Sequence, residues 1–238
     1  MNLVLTEQQV RLTCLTEPHM IETLDMDQLV DDLADGTPPA FLTPERICVQ
    51  DLIVVATAGN PGRYLGLLGA RDDVVGGQPF LRLDMACVTP LMRGQRLIAR
   101  LLARAALERM GRTPIMAART ATPSWFRALR HFATDLKSAA FHPAPAGAVV
   151  TLRTAALARQ IAGALCPEHR HDVATGVLHG KWTVPASSLR RHASADAWCE
   201  AMRDAAPILS ERLLAVIDLR EVAEATLLAR SGHAASIG

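Results

Sequence analysis

Apolar and polar positions alternate most regularly between residues 51 and 133. Short β-branched runs are interrupted there by Gly-Asn-Pro-Gly, Asp-Asp and Gly-Gly sequences, which are typical of tight turns between strands. Further on, apolar positions recur at helical spacing. The pattern predicts strand, strand, strand, helix, strand and helix, over 51–58, 64–70, 80–88, 96–110, 115–119 and from Pro123 onward.

Weaker patterns flank this region. The N-terminal part predicts a strand at 10–16 and an acidic amphipathic helix at 20–33. A Pro- and Gly-containing stretch from Pro143 marks a boundary. We therefore expect two domains, 1–142 and 143–238, in an α/β fold with a mixed, largely antiparallel sheet and a C-terminal α/β extension. The extension is predicted to hold a helix at 151–165, a helix near Ser194, a strand at 212–219 and a helix at 221–230.

Composition narrows the classes of partner. The 238 residues are 50% apolar and 21% charged, with a formal net charge of +1, so no global charge favours nucleic acid or an acidic membrane. We expect no membrane span, no signal peptide and a cytoplasmic location. The five cysteines are scattered without a C-x-x-C pair, which argues against a disulfide framework.

The segment from Val88 to Leu102 carries the most informative chemistry. A predicted strand turns there through Arg93-Gly94-Gln95 straight into a helix. The first N–H groups of a helix lack intrahelical acceptors and lie at the positive end of its dipole. A glycine lets a phosphate come close to such a loop. A pyrophosphate site and a plain strand-to-helix connection both fit this spacing.

The wider segment resembles the GNAT superfamily of acyl-CoA-dependent N-acyltransferases, whose loop R/Q-x-x-G-x-G/A holds the pyrophosphate of coenzyme A. Arg93, Gly94 and Gln95 fit the opening of that motif, whereas Arg96 and Ile98 replace its glycine and its closing Gly/Ala. The resemblance implies acetyl-CoA or another acyl-CoA as co-substrate. The residues that it implies for binding this carrier are Cys87, Val88, Arg93, Gly94, Gln95, Arg96, Leu97, Ile98 and Thr120.

The resemblance also suggests catalytic positions. Asp84 lies on the strand that often supplies a carboxylate, which would act as a base or as an anchor for the substrate amine. Alternatively, Asp84 forms an ion pair with Arg82 or another sheet neighbour. Near the position of the family's usual proton-donating tyrosine, this chain has Phe126. The single tyrosine of the chain, Tyr64, is far upstream. The groups that could protonate the thiolate instead are Ser124, Thr120, His131 or water.

Three further groups admit two interpretations each. Arg96, Arg100 and Arg104 share a helix face, which is either a phosphate-binding stripe or a solvated surface. Cys87 is a nucleophile or, as usual for a lone apolar-face cysteine, part of the core. The segment 168–172, Glu-His-Arg-His-Asp, could hold a metal or simply face water; we expect no metal.

These observations favour an N-acyltransferase that moves an acetyl or other short acyl group from coenzyme A to an amine by direct attack. The acceptor is a small-molecule or protein amine, and a homodimer is compatible with the sequence. Two other classes remain open: a GNAT-like module that binds an acyl-CoA without turnover, and an interaction protein that keeps only the fold.

Overall fold

The computed structural model describes residues 10–34, 42–59, 62–120, 122–144, 151–179 and 212–232. Its strands are β1 (Arg11–Leu15), β2 (Leu52–Ala58), β3 (Arg63–Val75), β4 (Gln78–Val88), β5 (Ile115–Thr120), β6 (Ala140–His142), β7 (Arg170–His171), β8 (Val177–His179) and β9 (Arg212–Asp218). Its helices are α1 (Pro18–Ile21), α2 (Met26–Leu33), α3 (Pro44–Cys48), α4 (Leu97–Arg109), α5 (Pro123–Asp135), α6 (Leu152–Leu165) and α7 (Glu224–Ser231). The element order predicted for 51–133 is confirmed.

The predicted helix at 20–33 is divided in two. α1 ends at Ile21 and α2 begins after Asp25, whose carboxylate accepts the amide of Gln28 at 3.0 Å. Aspartate is a strong N-cap because it satisfies an N–H group that has no helical acceptor. The acidic residue that looked like part of one amphipathic surface therefore starts a second helix, which buries Leu29 and Leu33.

The second hairpin is longer than predicted. β3 continues through Asp72 and Asp73, and only Gly76 and Gly77 form the turn, with φ of 55° and 77°. Residues with a Cβ rarely adopt such φ angles, whereas glycine adopts them freely. Two glycines therefore suffice to reverse the chain. Asp73 contributes to the strands instead, because its carboxylate pairs with Arg82 at 3.0 Å.

Contacts divide the chain into two compact units. The first comprises 1–72, 83–112 and 223–238. In it β1 pairs antiparallel with β2, and β2 with β3. Apolar side chains from β2, α2 and β4 form its core, among them Leu29, Ile53, Leu67 and Met85.

The second unit comprises 73–82 and 113–222. β9 is its central strand: β5 pairs antiparallel along its whole length, while β8 and β6 also pair with it antiparallel. α6 covers a core that includes Phe80, Ile161 and Leu214. On α5, Phe126 is fully buried while Trp125 is only half-buried.

The predicted fold class, a mixed α/β fold with a largely antiparallel sheet, is confirmed. The predicted strand at 212–219 and the helices at 151–165 and 221–230 are present as β9, α6 and α7, and the helix near Ser194 lies outside the described residues. Domain limits of 1–142 and 143–238 stay a prediction. Among the helices that the structure describes, none is long and apolar enough to cross a membrane.

Candidate functional site

The candidate loop directly follows β4, which is a well-packed strand. Leu83, Met85 and Cys87 are buried, while Asp84 and Ala86 on the opposite face are half-buried. The strand ends where the amide of Thr89 donates to the carbonyl oxygen of Leu65 at 3.0 Å. The alternation follows from the two-residue period of a strand, and it matches the prediction.

Gly66 on β3 lets the start of α4 come close to the sheet. A Cβ at this position would lie 3.0 Å from Val88 Cγ1 and 3.3 Å from Leu97 Cδ2. Leu97 is only 1% exposed. Its side chain therefore anchors the first turn of α4 in the core, and only its backbone can contribute to ligand binding.

The loop itself is built around Gly94. A short 3₁₀ turn from Pro90 to Met92 follows β4, and Gly94 then takes φ +78°. A Cβ on Gly94 would meet nothing within 4 Å, so the glycine is required for its backbone angle and leaves open space in front of it. Gln95 closes the loop, since its amide donates to Met92 O at 3.2 Å and its side chain to Leu91 O at 2.9 Å.

Arg96 is the N-cap residue of α4 and lies in the left-handed region, with φ 57° and ψ 13°. It thus adopts, with a side chain, a conformation that glycine adopts freely. The N–H groups in the first turn of any helix have no intrahelical acceptor. In α4 no side chain caps them either. Arg96 is exposed and Ile98 half-buried.

Arg96, Arg100 and Arg104, which were predicted to share a helix face, do not form one surface. Arg100 is 9% exposed, and its guanidinium donates to Val10 O at 3.1 Å. Arg104 donates to Cys14 Sγ at 3.0 Å and pairs with Glu108 at 3.2 Å. Both interpretations of the stripe, ligand surface and solvated face, are therefore wrong for Arg100, which serves the packing of the first unit.

Asp84 pairs with Arg71, with Oδ2 2.9 Å from Nε. Arg82, the other partner considered, pairs with Asp73, with Nη1 3.0 Å from Oδ2. Cys87 is 7% exposed within the apolar core of the first unit, which supports its structural interpretation.

Thr120, Ser124 and His131 lie in the second unit. The hydroxyl of Thr120 accepts the amide of Thr122 at 2.8 Å and donates to Thr122 O at 3.2 Å, so it shapes the connection into α5. Ser124 and His131 are exposed on α5. Phe126 is 0% exposed and contacts Phe141 edge to face, with ring centroids 5.4 Å apart, so this ring belongs to the core.

A histidine from elsewhere in the chain, His142, contacts the histidine-rich segment 168–172. His142 lies with its ring centroid 5.5 Å from that of His171, and the four ring nitrogens are buried without hydrogen-bond partners. Burial, followed by the charge of His171, lowers the pKa of His142 to about 4. No group of three or more potential ligands that could hold a metal ion is found in the parts of the chain that the structure covers.

Sequence reasoning missed three features of the two units. The interior position of Arg100, the partner of His171 and the left-handed Arg96 all depend on tertiary packing. One signal was available: Arg100 follows Leu97 and precedes Leu101 and Leu102 on an apolar helix, which places it close to the buried side.

Neither a protein family nor a curated protein matches this sequence. Several solved structures are similar to it, among them the following three. The structure of AtaTR bound with AcCoA is 13% identical, with a TM-score of 0.43 over 62% of this chain and 90% of that one. An acetyltransferase of the GNAT family from Desulfovibrio desulfuricans is 18% identical, with a TM-score of 0.38 over 52% and 82%. A GCN5-related N-acetyltransferase from Kribbella flavida is 18% identical, with a TM-score of 0.35 over 70% and 47%. The family that the sequence resembles is thus also the one named for two of these structures.

Proposed function

We propose that the loop from Thr89 to Arg96, together with the first turn of α4, binds the pyrophosphate of coenzyme A. The observation that carries this proposal is Gly94, which holds φ +78° with open space at its Cβ position, just before a helix start that no side chain caps. Backbone N–H groups at the positive end of a helix dipole suit an anion. The exposed guanidinium of Arg96 adds a charge that pairs well with phosphate oxygens.

The reaction that fits this carrier is transfer of an acetyl or other short acyl group to an amine. The amine nitrogen attacks the thioester carbonyl carbon, the new C–N bond forms, and the C–S bond breaks with release of the thiolate. The amine loses one proton and the thiolate takes one up. Orientation of the reactants and a backbone N–H near Val88 that donates to the thioester oxygen would supply most of the acceleration.

The proton transfers are assigned to groups that stay proposals. Asp84 is the candidate base or amine anchor, and Ser124 the candidate acid. The ion pair with Arg71 at 2.9 Å fixes the position of the Asp84 carboxylate in either role. Water is an equally suitable proton donor.

A second candidate is a module that binds an acyl-CoA without turnover. The burial of Phe126 favours it, because a buried phenylalanine supplies no hydroxyl at that position. Only the binding half of the proposal is common to both candidates.

Calorimetric titration of the full chain with coenzyme A, followed by a thiol-release assay with acetyl-CoA and a panel of amines, distinguishes the candidates. Binding with amine-dependent thiol release supports the transferase. Binding without release across the panel and across longer thioesters supports the module. Absence of binding contradicts both and leaves an interaction protein.

A further inference from the structure

Arg100 links three segments that are distant in sequence. Its side chain is 9% exposed. Nη2 donates to Val10 O at 3.1 Å, immediately before β1, and Nε to Ser231 O at 3.5 Å, at the last residue of α7. α4 and α7 also pack along each other. All of these residues belong to the first unit.

The end of α7 is shaped to receive this guanidinium. Carbonyl groups at a helix C-terminus carry the negative end of the dipole and favour a cation. Gly232 follows with φ +74°, and a Cβ there would lie 2.9 Å from Arg100 Nη2. A glycine at this position both ends the helix and lets its terminus reach the arginine.

The same residue controls the helix start that bears the candidate anion site. The amide of Arg100 donates to Arg96 O at 3.1 Å, which is the bond that closes the first turn of α4. The backbone of Arg100 therefore holds the turn, while its side chain ties that turn to β1 and α7.

We propose that Arg100 is a positioning residue that orients the first turn of α4 toward coenzyme A, so that docking of α7 and binding at the Gly94 loop are coupled. This inference rests on the proposed function. The proposal gives α7 a role in the ligand site formed by Arg96 and its neighbours, although these residues lie far earlier in the sequence. It requires no contact between α7 and the ligand.

Coupling between two sites is reciprocal, so the ligand must also stabilise α7. Hydrogen–deuterium exchange of the full chain, with and without saturating coenzyme A, measures this directly. We expect slower exchange of the amides of Leu227 to Ser231 when the ligand is bound. Unchanged exchange there, with bound ligand verified by calorimetry, overturns the coupling.

Arg109 offers a matched control at the other end of the same helix. It is 7% exposed and donates to Asp72 at 3.2 Å and to Asp51 O at 2.8 Å. We expect Arg100→Met and Arg109→Met both to lower the melting temperature. Only Arg100→Met should raise the Kd for coenzyme A, by about tenfold, which is within the usual range of coupling between two sites.

Gly232→Ala disturbs the same contact from the other side and decides the question where Arg100→Met does not fold. Gly77→Ala is its control, because Gly77 has φ +77° but nothing within 4 Å of a Cβ. We expect only Gly232→Ala to weaken binding. An unchanged Kd in Gly232→Ala and Arg100→Met, with wild-type binding intact, contradicts the coupling alone. If the wild-type protein does not bind coenzyme A, the proposed function falls as well.

Discussion

Gly94 and Arg96 share a left-handed backbone, with φ of 78° and 57°, at different energetic cost. Glycine adopts it freely, whereas a residue with a Cβ loses roughly 1–2 kcal/mol. The sequence identified Gly94 as a turn glycine and Arg96 as a departure from the family pattern. It could not show that Arg96 takes the glycine conformation, because a residue with a Cβ adopts such an angle only where its tertiary surroundings require it.

Substitutions of Arg96 separate backbone strain from ligand contact. Arg96→Gly should leave the free energy of unfolding unchanged or raise it by up to about 1 kcal/mol, since relief of strain exceeds the entropy of the added glycine. Arg96→Ala keeps the strain and removes the charge, so it should weaken coenzyme A binding roughly ten- to a hundredfold. Denaturant unfolding and calorimetry measure the two effects. Tighter binding by Arg96→Gly would show instead that the arginine obstructs the site.

The ion pair of Asp84 with Arg71 gives a second prediction for a single residue. Both side chains are partly exposed, at 22% and 39%, so the pair should contribute no more than about 1 kcal/mol to stability. Asp84→Asn should therefore cost little stability. If Asp84 anchors the amine, Asp84→Asn raises KM for the acceptor more than it lowers kcat.

The control for that measurement is Arg71→Met, which removes the partner and leaves the carboxylate. Steady-state kinetics of both variants, with the amine concentration varied, gives the two constants. A large fall in kcat for Asp84→Asn with KM unchanged would contradict the anchoring role and restore Asp84 as the base.

The sequence predicted the elements between 51 and 133 well because β2 is a continuous buried apolar run that ends at turn residues, while β4 alternates between buried and half-buried positions. It failed where one polar residue outweighs the pattern. Asp25 interrupts the predicted helix at 20–33 by capping α2. In α5 the buried face includes Phe126, Leu129 and Phe132, which recur at a spacing of three residues.

The burial of Phe126 makes Phe126→Tyr a direct test of whether this position faces the reacting thiolate. A tyrosine hydroxyl at this fully buried position would need a hydrogen-bond partner, and burying it without one costs about 1–3 kcal/mol. We expect a lower melting temperature and no gain in acyl transfer. Phe132→Tyr, at a position on the same helix that is 2% exposed, should behave alike. A faster reaction in Phe126→Tyr alone would mean that this position faces the reacting thiolate.

For the molecule as a whole, acid stability depends on the buried pair His142 and His171. Burial lowers both imidazole pKa values, that of His142 to about 4; the charge of Arg159 also lowers the pKa of His171, and Asp172 opposes both shifts. A folded pKa below the unfolded value of about 6.5 means that the unfolded chain binds protons more readily. Stability is therefore present above pH 6.5 and falls as the pH decreases toward 4.

We expect the free energy of unfolding to decrease by up to about 3 kcal/mol over that interval from His142 alone. Urea unfolding at a series of pH values measures it. His142→Gln should flatten the profile, whereas His131→Gln, which changes an exposed histidine, should leave its slope unchanged. A wild-type profile that is flat between pH 6.5 and 4 would contradict the burial of this pair.

The domain division predicted at Pro143 cannot be read from local composition alone. Residues 223–238 belong to the same compact unit as α4, and β9 supplies the antiparallel partner of β5. Such distant pairings leave no local signal in the sequence.

The most direct test of the account is the melting temperature of the full chain in the presence of coenzyme A. A ligand at 100 times its Kd adds about 2.7 kcal/mol to stability, so the wild-type protein should melt at a distinctly higher temperature. Gly94→Val should abolish that shift, because a branched side chain fills the open space before α4. Gly77→Val, with φ +77° at the wild-type glycine and equally open surroundings, should retain it. No shift in the wild-type protein with millimolar coenzyme A or acetyl-CoA, or an equal shift in Gly94→Val, would contradict the claim that this loop binds the pyrophosphate.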